Sequence, residues 1–205
     1  MLDNDWTGNI TGQIRDDLGQ PITAAQVLVV VKTWPDQSYF QRAYTTLSDT
    51  NGRFLIQNVH PVNERFEVQI AAVARNRALK SAYYSAPGGT LAPVVLELPS
   101  SSNVLLQVES ELGATLASVE VLPHARVEAS GAEHVVYFDS AQALLRRTDA
   151  HGRIELPYFQ VGDAVTILIR TTQGTWETRE FVVPTDVKVV TIRISQLSLS
   201  TSKES

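Results

Sequence analysis

The chain has 205 residues, 43% of them apolar, with a formal net charge of −5 and no cysteine. That length suits one large domain or two sandwiches of about 90–100 residues, and the apolar share is that of a chain with a core. The basic residues are scattered, so the stripe that displaces counterions from nucleic acid is missing, and disulfides, thiolate metal sites and cysteine nucleophiles are excluded.

The opening "MLDNDWTGN" is acidic and polar, the reverse of the basic and then apolar layout of a signal peptide. The chain is therefore expected to be cytoplasmic or a segment of a longer exported protein. No apolar run reaches the roughly 18 residues of a membrane-spanning helix. "GQIRDDLGQPITAAQV" (Gly12–Val27) reads as a strand, a Leu18-Gly19 turn and a second strand. The run "QVLVVVK" (Gln26–Lys32) suits a central strand that is buried on both sides or crowded against another sheet. After it, "KTWPDQSYFQRAYTTL" gathers Trp34, Tyr39, Phe40 and Tyr44. "SDTNGRFLI" (Ser48–Ile56) is a turn followed by a strand, and "RFEVQIAAV" alternates as a strand with one wet face, carrying Glu67 and Gln69. "KSAYYSAPGG" and the strand "PVVLEL" lead to the polar linker "PSSSN" (Pro99–Asn103), short enough that two domains touch end to end with little free reach.

Beyond the linker the plan returns. "LQVESELGATLASVEV" (Leu106–Val121) matches Gly12–Val27 at an offset of 94, with Gln107, Val108, Leu112, Gly113 and Val121 under Gln13, Ile14, Leu18, Gly19 and Val27. "TDAHGRIEL" (Thr148–Leu156) matches "SDTNGRFLI" at an offset of 100, and "KVVTIRI" matches "PVVLEL" at 96. The second copy thus carries about six extra residues, most of them in "DSAQALLRRTD" (Asp139–Asp149), expected to be a short helix capped by Ser140 or an irregular strand. "AVTILIR" alternates as a strand, turn signals recur every 8–12 residues, and the Ser-rich end after Ile194 reads as a tail. The expected fold is all-β: two tandem seven-stranded Ig-like, transthyretin-like Greek-key β-sandwiches over 1–99 and 103–195, with a flexible tail at 196–205.

The first copy resembles the carboxypeptidase regulatory-like domain of the transthyretin-like, or prealbumin-like, group. The likeness rests on Asp16, Gly19, Pro21, Ile22, Ala25 and Val27, then Asp49, Gly52, Phe54 and Ile56, with Ser48 where the pattern has Thr. It covers roughly Ile10 to Leu98. The second copy keeps Thr148, Asp149, Gly152, Ile154 and Leu156 but has Ser110 for the first Asp and Thr115 for the Pro, so it is a divergent copy. The resemblance implies a non-catalytic accessory module of an exported or cell-surface protein, at an extracellular, periplasmic or surface location.

Four patterns carry candidate chemistry. Asp49-x-Asn51-Gly52 has a faint calcium-loop look, but Arg53 to Ile56 supply no oxygen ligands, and His151 replaces Asn51 in the second copy. A turn accounts for every residue: Asp bonds the backbone ahead of it, Asn or His tolerates a left-handed conformation, and Gly accepts positive φ. The intradiol dioxygenases share a similar sandwich and hold iron with two Tyr and two His. Here His60, His124, His134 and His151 include no close pair, although Tyr39, Tyr44, Tyr83 and Tyr84 are available. The transthyretin-like hydrolases need a terminal Tyr-Arg-Gly-Ser, which "TSKES" is not, and no Ser lies in a Gly-x-Ser-x-Gly elbow. The carboxylates Asp16, Asp17, Glu109 and Glu111 read as solvated turn charges.

These readings converge on a spacer or adhesion module with no catalytic residues, no metal and no cofactor. Its expected partners are the other domains of the same polypeptide and a protein or polysaccharide, without nucleic acid or membrane insertion, and the chain is expected to be a monomer. The alternative is a carbohydrate- or protein-binding module that uses Trp34, Tyr39, Phe40 and Tyr44 as stacking or anchoring rings. Against it, Trp34 and Phe40 could fold back and plug the sandwich end. An intradiol dioxygenase-like enzyme comes third.

Overall fold

The computed structural model describes residues 8–33, 40–60, 65–86, 91–137, 141–171, 174–185 and 189–195. The first half contributes β1 (Gly8–Asp16), β2 (Gln26–Thr33), β3 (Phe40–Leu47), β4 (Arg53–His60), β5 (Phe66–Ala74), β6 (Arg77–Ala86) and β7 (Val94–Leu98). They form a three-stranded sheet, β4-β1-β7, facing a four-stranded sheet, β3-β2-β5-β6. Alternation does the sorting. Ile10 and Ile14 of β1, Val27, Val29 and Val31 of β2, and Phe66, Val68 and Ile70 of β5 meet in one core between the sheets.

The second half contributes β8 (Ser102–Ser110), β9 (Glu120–Val127), β10 (Glu133–Val135), β11 (Arg146–Arg147), β12 (Arg153–Phe159), β13 (Ala164–Arg170), β14 (Trp176–Val182) and β15 (Val189–Ile194). Its sheets are β12-β8-β15 and β10-β9-β13-β14, with β11 also paired to β9. The order of strands follows that of the first half, with one difference. Where β3 lies continuously along β2 from Phe40 to Leu47, its counterpart is split: β10 pairs with Val127 to Ala125, β11 pairs with Val121 and Glu120, and the chain leaves the sheet in between. The expected helix in this stretch is a single 3₁₀ turn, Gln142–Leu144, with no side-chain cap, followed directly by β11. Ser140 lies outside the described residues. The turn stays short because Leu144 is fully buried and the chain must return to β9 two residues later.

The two matching turns are built from the same bonds. Asp49 Oδ1 accepts hydrogen bonds from Asn51 N and Arg53 N, both at 2.8 Å, and Asp149 Oδ1 accepts from His151 N and Arg153 N at the same distance. The positive φ falls on Gly52 (70°) and Gly152 (72°), and Asn51 and His151 are not among the left-handed residues. The glycine alone therefore makes the reversal. The residues before each turn also correspond. Ser48 Oγ donates to Ile22 O and accepts from Ala25 N, and Thr148 Oγ1 donates to Leu116 O and accepts from Val119 N. Both hydroxyls are buried, and both pin a left-handed residue, Ala24 or Ser118, between their two bonds. Ser48 and Thr148 thus do the same work with their hydroxyls. At the first turn, Asp16 Oδ1 holds Leu18 N and Gln20 N, while Ser110 Oγ in its place holds Ala114 N alone.

Gly52 is confined as well as left-handed: a Cβ there would sit 2.3 Å from the Ile14 carbonyl oxygen, whereas at Gly19 nothing lies within 4 Å. Gly52→Ala is expected to cost about 3 kcal/mol, the left-handed strain plus a backbone clash, and Gly19→Ala about 1 kcal/mol from the strain alone. Urea unfolding of the two variants checks the difference; equal losses would remove the close approach from the account.

Candidate functional site: the joint between the halves

The reading of β5 as a strand with one wet face needs correction. Gln69 on its supposedly wet face is 3% exposed. Leu28, Ala71, Val73 and Leu79 are buried in a hydrophobic cluster that belongs to the second half. Since Val27, Val29 and Val31 point into the first core, β2 is buried on both faces, which its unbroken β-branched run permits. The cover comes from β10, β12 and the excursion between β10 and β11, where Val136, Ala141 and Leu144 are fully buried. This stretch of the second half is thus a plug on the first half's four-stranded sheet. At about 2 kcal/mol for each Leu or Val removed from water, this contact is a substantial part of the fold.

Polar groups fix its register. The Gln69 amide is spent on the joint: Nε2 donates to Val135 O (2.5 Å) and to the Tyr83 hydroxyl (2.6 Å), and Oε1 accepts from Tyr137 N (3.2 Å). Tyr83 and Tyr137 meet edge to face at 6.3 Å, and Lys32 Nζ lies 4.0 Å from the centre of the Tyr137 ring. Gln26 Nε2 donates to Ala143 O at 3.4 Å. Burial, followed by the neighbouring Tyr137 phenol, pushes the Tyr83 hydroxyl above its ordinary value.

The most demanding group is Arg126, with a side chain 0% exposed. Its guanidinium donates from Nε to Asp163 Oδ2 (2.5 Å), from Nη2 to Gln160 Oε1 (2.5 Å) and from Nη1 across the joint to Leu79 O (2.8 Å). Asp163 is equally sequestered and also accepts from Gln160 N. A buried charge survives only when paired and fully hydrogen-bonded. Here one of the acceptors is a backbone carbonyl of the other half, so the guanidinium's hydrogen bonds are complete only when the halves are docked.

Beside it, Lys80 Nζ of β6 reaches Glu128 Oε1 at 2.6 Å, His134 Nε2 lies 3.0 Å from the same oxygen, and His134 Nδ1 faces the Ser81 backbone. Partial burial pushes the Glu128 carboxyl up, but hydrogen bonds from Lys80 and His134, with the Lys80 charge and the Ser130 hydroxyl, outweigh it and hold the group at about 2. On the other flank, Arg77 bonds Asp16 (3.0 Å), Asp17 (3.3 Å) and the Ser100 hydroxyl (3.3 Å). The linker itself is tied down, with Pro99 O accepting from Ala78 N and Ser101 N donating to Asn76 O. The expected end-to-end touch through a polar linker is therefore replaced by a broad contact against one face of the first half.

The aromatic residues singled out above fall differently. Trp34 and Tyr39 lie outside the described residues. Phe40 opens β3 opposite Thr33. Tyr44 pairs with Val29 on β3 and packs, half-buried, against the first core. Of the histidines, His134 is locked in the joint, His151 sits in its turn, and His124 has its Nδ1 buried without a hydrogen-bond partner. Among the described residues no group of three or more His, Asp or Glu could hold a metal ion, and no helix is long and apolar enough to cross a membrane.

One further surface stands out. The outer face of β4-β1-β7 carries a groove of about 660 Å³ over Thr11, Gln13, Leu47, Arg53, Leu55 and Val95. In the same register of the second half, Leu55 and Val95 become Glu155 and Thr191. The apolar groove is a feature of the first half.

No protein-family model and no curated protein matches the chain. Solved structures similar to it include the shaft pilin SpaA from Lactobacillus rhamnosus GG, at 9% identity and TM-score 0.37, covering 94% of this chain and 99% of that one. The minor pilin GBS52 of Streptococcus agalactiae matches at 12% identity and TM-score 0.34, covering 92% and 95%. The Bacillus anthracis TIE protein matches at 13% identity and TM-score 0.33, covering 92% of this chain and 34% of that one, so this chain spans about a third of its length. At these identities and TM-scores, function does not carry over from one chain to another.

From the sequence, Tyr83 and His134 were weighed only as iron ligands and Gln69 only as a solvent-facing strand residue, so the joint itself was not read. The one signal was the irregular stretch Asp139–Asp149, which placed the plug but not its target.

Because folded Glu128 sits below its ordinary value of 4.5, its contribution is fully present above that pH and is lost as pH falls toward 2. The stability difference between the native protein and Glu128→Gln is expected to be constant above pH 5 and to shrink below about 4.5. Urea titrations from pH 2 to 7 measure it; a difference that persists unchanged at pH 2 would contradict the assignment.

Proposed function

We propose that this chain is a non-catalytic pair of transthyretin-like β-sandwiches, two copies of one plan spanning 1–99 and 103–195, that serves as a rigid spacer in a larger exported or surface protein. The observation that carries the reading is the joint. A free-standing binding domain has no need to bury the outer face of a sheet, a fully desolvated arginine and a tied-down linker against its neighbour, whereas a spacer that holds its two ends at a set angle does. The corresponding turns, hydroxyl staples and strand orders support the duplication, and the resemblance to carboxypeptidase regulatory-like domains supports the accessory role and the exported setting. The natural partners are further domains of the same polypeptide.

Small-angle X-ray scattering of the native protein is expected to fit one fixed arrangement of the halves. Arg126→Ala strands Asp163 without its partner and is expected to cost about 3–5 kcal/mol, with faster amide exchange at Leu79–Tyr83 and Val135–Tyr137. Scattering from the native protein that fits only freely jointed halves would sink the spacer reading.

A second reading, a carbohydrate- or protein-binding module, rests on the crowding of Trp34, Tyr39, Phe40 and Tyr44 at the connection of β2 to β3. It expects a ligand on a glycan or peptide array whose binding falls at least tenfold in Trp34→Ala with Tyr39→Ala, the loss of about 1.4 kcal/mol. Binding unaffected by both changes would remove these rings from the account.

A further inference from the structure

We infer that each half is a shear clamp, so that the protein resists tension along its chain as well as holding its shape. In the first half the first and last strands are direct neighbours and run parallel, with Gly12 paired to Val94 and the register continuing to Asp16 with Leu98. The second half repeats this, from Leu105 with Val189 to Ser110 with Ile194. A parallel pair of terminal strands has a mechanical consequence. The chain enters β1 at one end of the sandwich and leaves β7 at the other, so tension draws the two strands past each other along their length. The slanted, evenly spaced ladder between them is then loaded all at once, because no bond can open before its neighbours. Antiparallel terminal strands would enter and leave at the same end and would peel one bond at a time.

The surroundings keep the load on that ladder. β1 is flanked on its other side by β4, paired from Ile10 with Ile56 to Gln13 with Arg53, so it cannot swing out of the sheet. β7 alternates Val94, Leu96 and Leu98 into the core. Leu98 passes straight into the linker that β6 holds through Ala78 N and Asn76 O, and β8 starts at Ser102, so tension reaches the second clamp without a slack segment. There Arg179 Nε donates to Arg193 O at 3.0 Å, tying β15 to β14 of the facing sheet.

This inference takes its biological meaning from the spacer reading, but its test is separate. The chain has no cysteine, so attachment points can be introduced one at a time. The full chain is pulled in an optical trap or by atomic force microscopy in two geometries: from its two termini, and from the N-terminus to a cysteine at the exposed position Ala92 (Ala92→Cys), beside the start of β7. The first geometry shears both clamps; the second unzips β1 from β7. Terminal pulling is expected to need a rupture force several times higher, and to release about 300 Å of chain for each half at roughly 3.4 Å per residue. Equal rupture forces in the two geometries would overturn the clamp. Arg126→Ala leaves the β1–β7 ladder untouched, so its ratio of forces should match that of the native protein. The joint can therefore fail in scattering while the clamp stands, and the clamp can fail in pulling while the joint stands.

Discussion

The constraint on which the rest depends is that the four-stranded sheet of the first half is apolar on both faces. Val27, Val29 and Val31 fill one core, while Leu28, Ala71, Val73 and Leu79 join another. Left in water, that second face would be an exposed hydrophobic patch on a strand-rich surface, a recipe for association. The chain covers it with its own second half. Several features follow from this requirement: the split of the strand corresponding to β3, the excursion carrying Val136, Ala141 and Leu144, and the linker held against β6.

Covering an apolar face gives adhesion without orientation, since the hydrophobic effect is non-directional. Orientation comes from the polar groups trapped in the contact. Gln69 uses both its amide nitrogen and its oxygen on the other half, and Arg126 needs the Leu79 carbonyl to complete its hydrogen bonds. A shifted docking would leave a buried guanidinium and a buried amide unsatisfied, and such groups cost far more when orphaned than they contribute when paired. The joint thus has one low-energy arrangement. That single arrangement gives the parallel end strands a fixed frame in which to carry load.

The two halves also share their local chemistry. The turn aspartates and the buried hydroxyls of Ser48 and Thr148 recur bond for bond, each satisfying backbone groups of its turn, and the left-handed glycines recur because they accept the positive φ of the reversal. Asp16 and Ser110 differ, since a turn at the surface can lose one bond to water at little cost. The outer face of the three-stranded sheet differs between the halves, with Leu55 and Val95 in the first and Glu155 and Thr191 in the second, where neither core constrains it.

Much of this was legible in the residues. Period-two alternation named the strands, Asp-x-x-Gly named the turns, and Asp139–Asp149 was marked as a stretch that departs from regular strand. Local chemistry determines such features, since a turn or a strand face is set by residues within a few positions of one another. The joint was not legible. Gln69 in an alternating strand and Arg126 near a strand end carry no local sign of burial, and their partners lie 66 and 47 positions away along the chain. Whether a polar residue faces water or another part of the chain is decided by what packs on it. That depends on the summed fit of distant surfaces, which only the tertiary structure brings together.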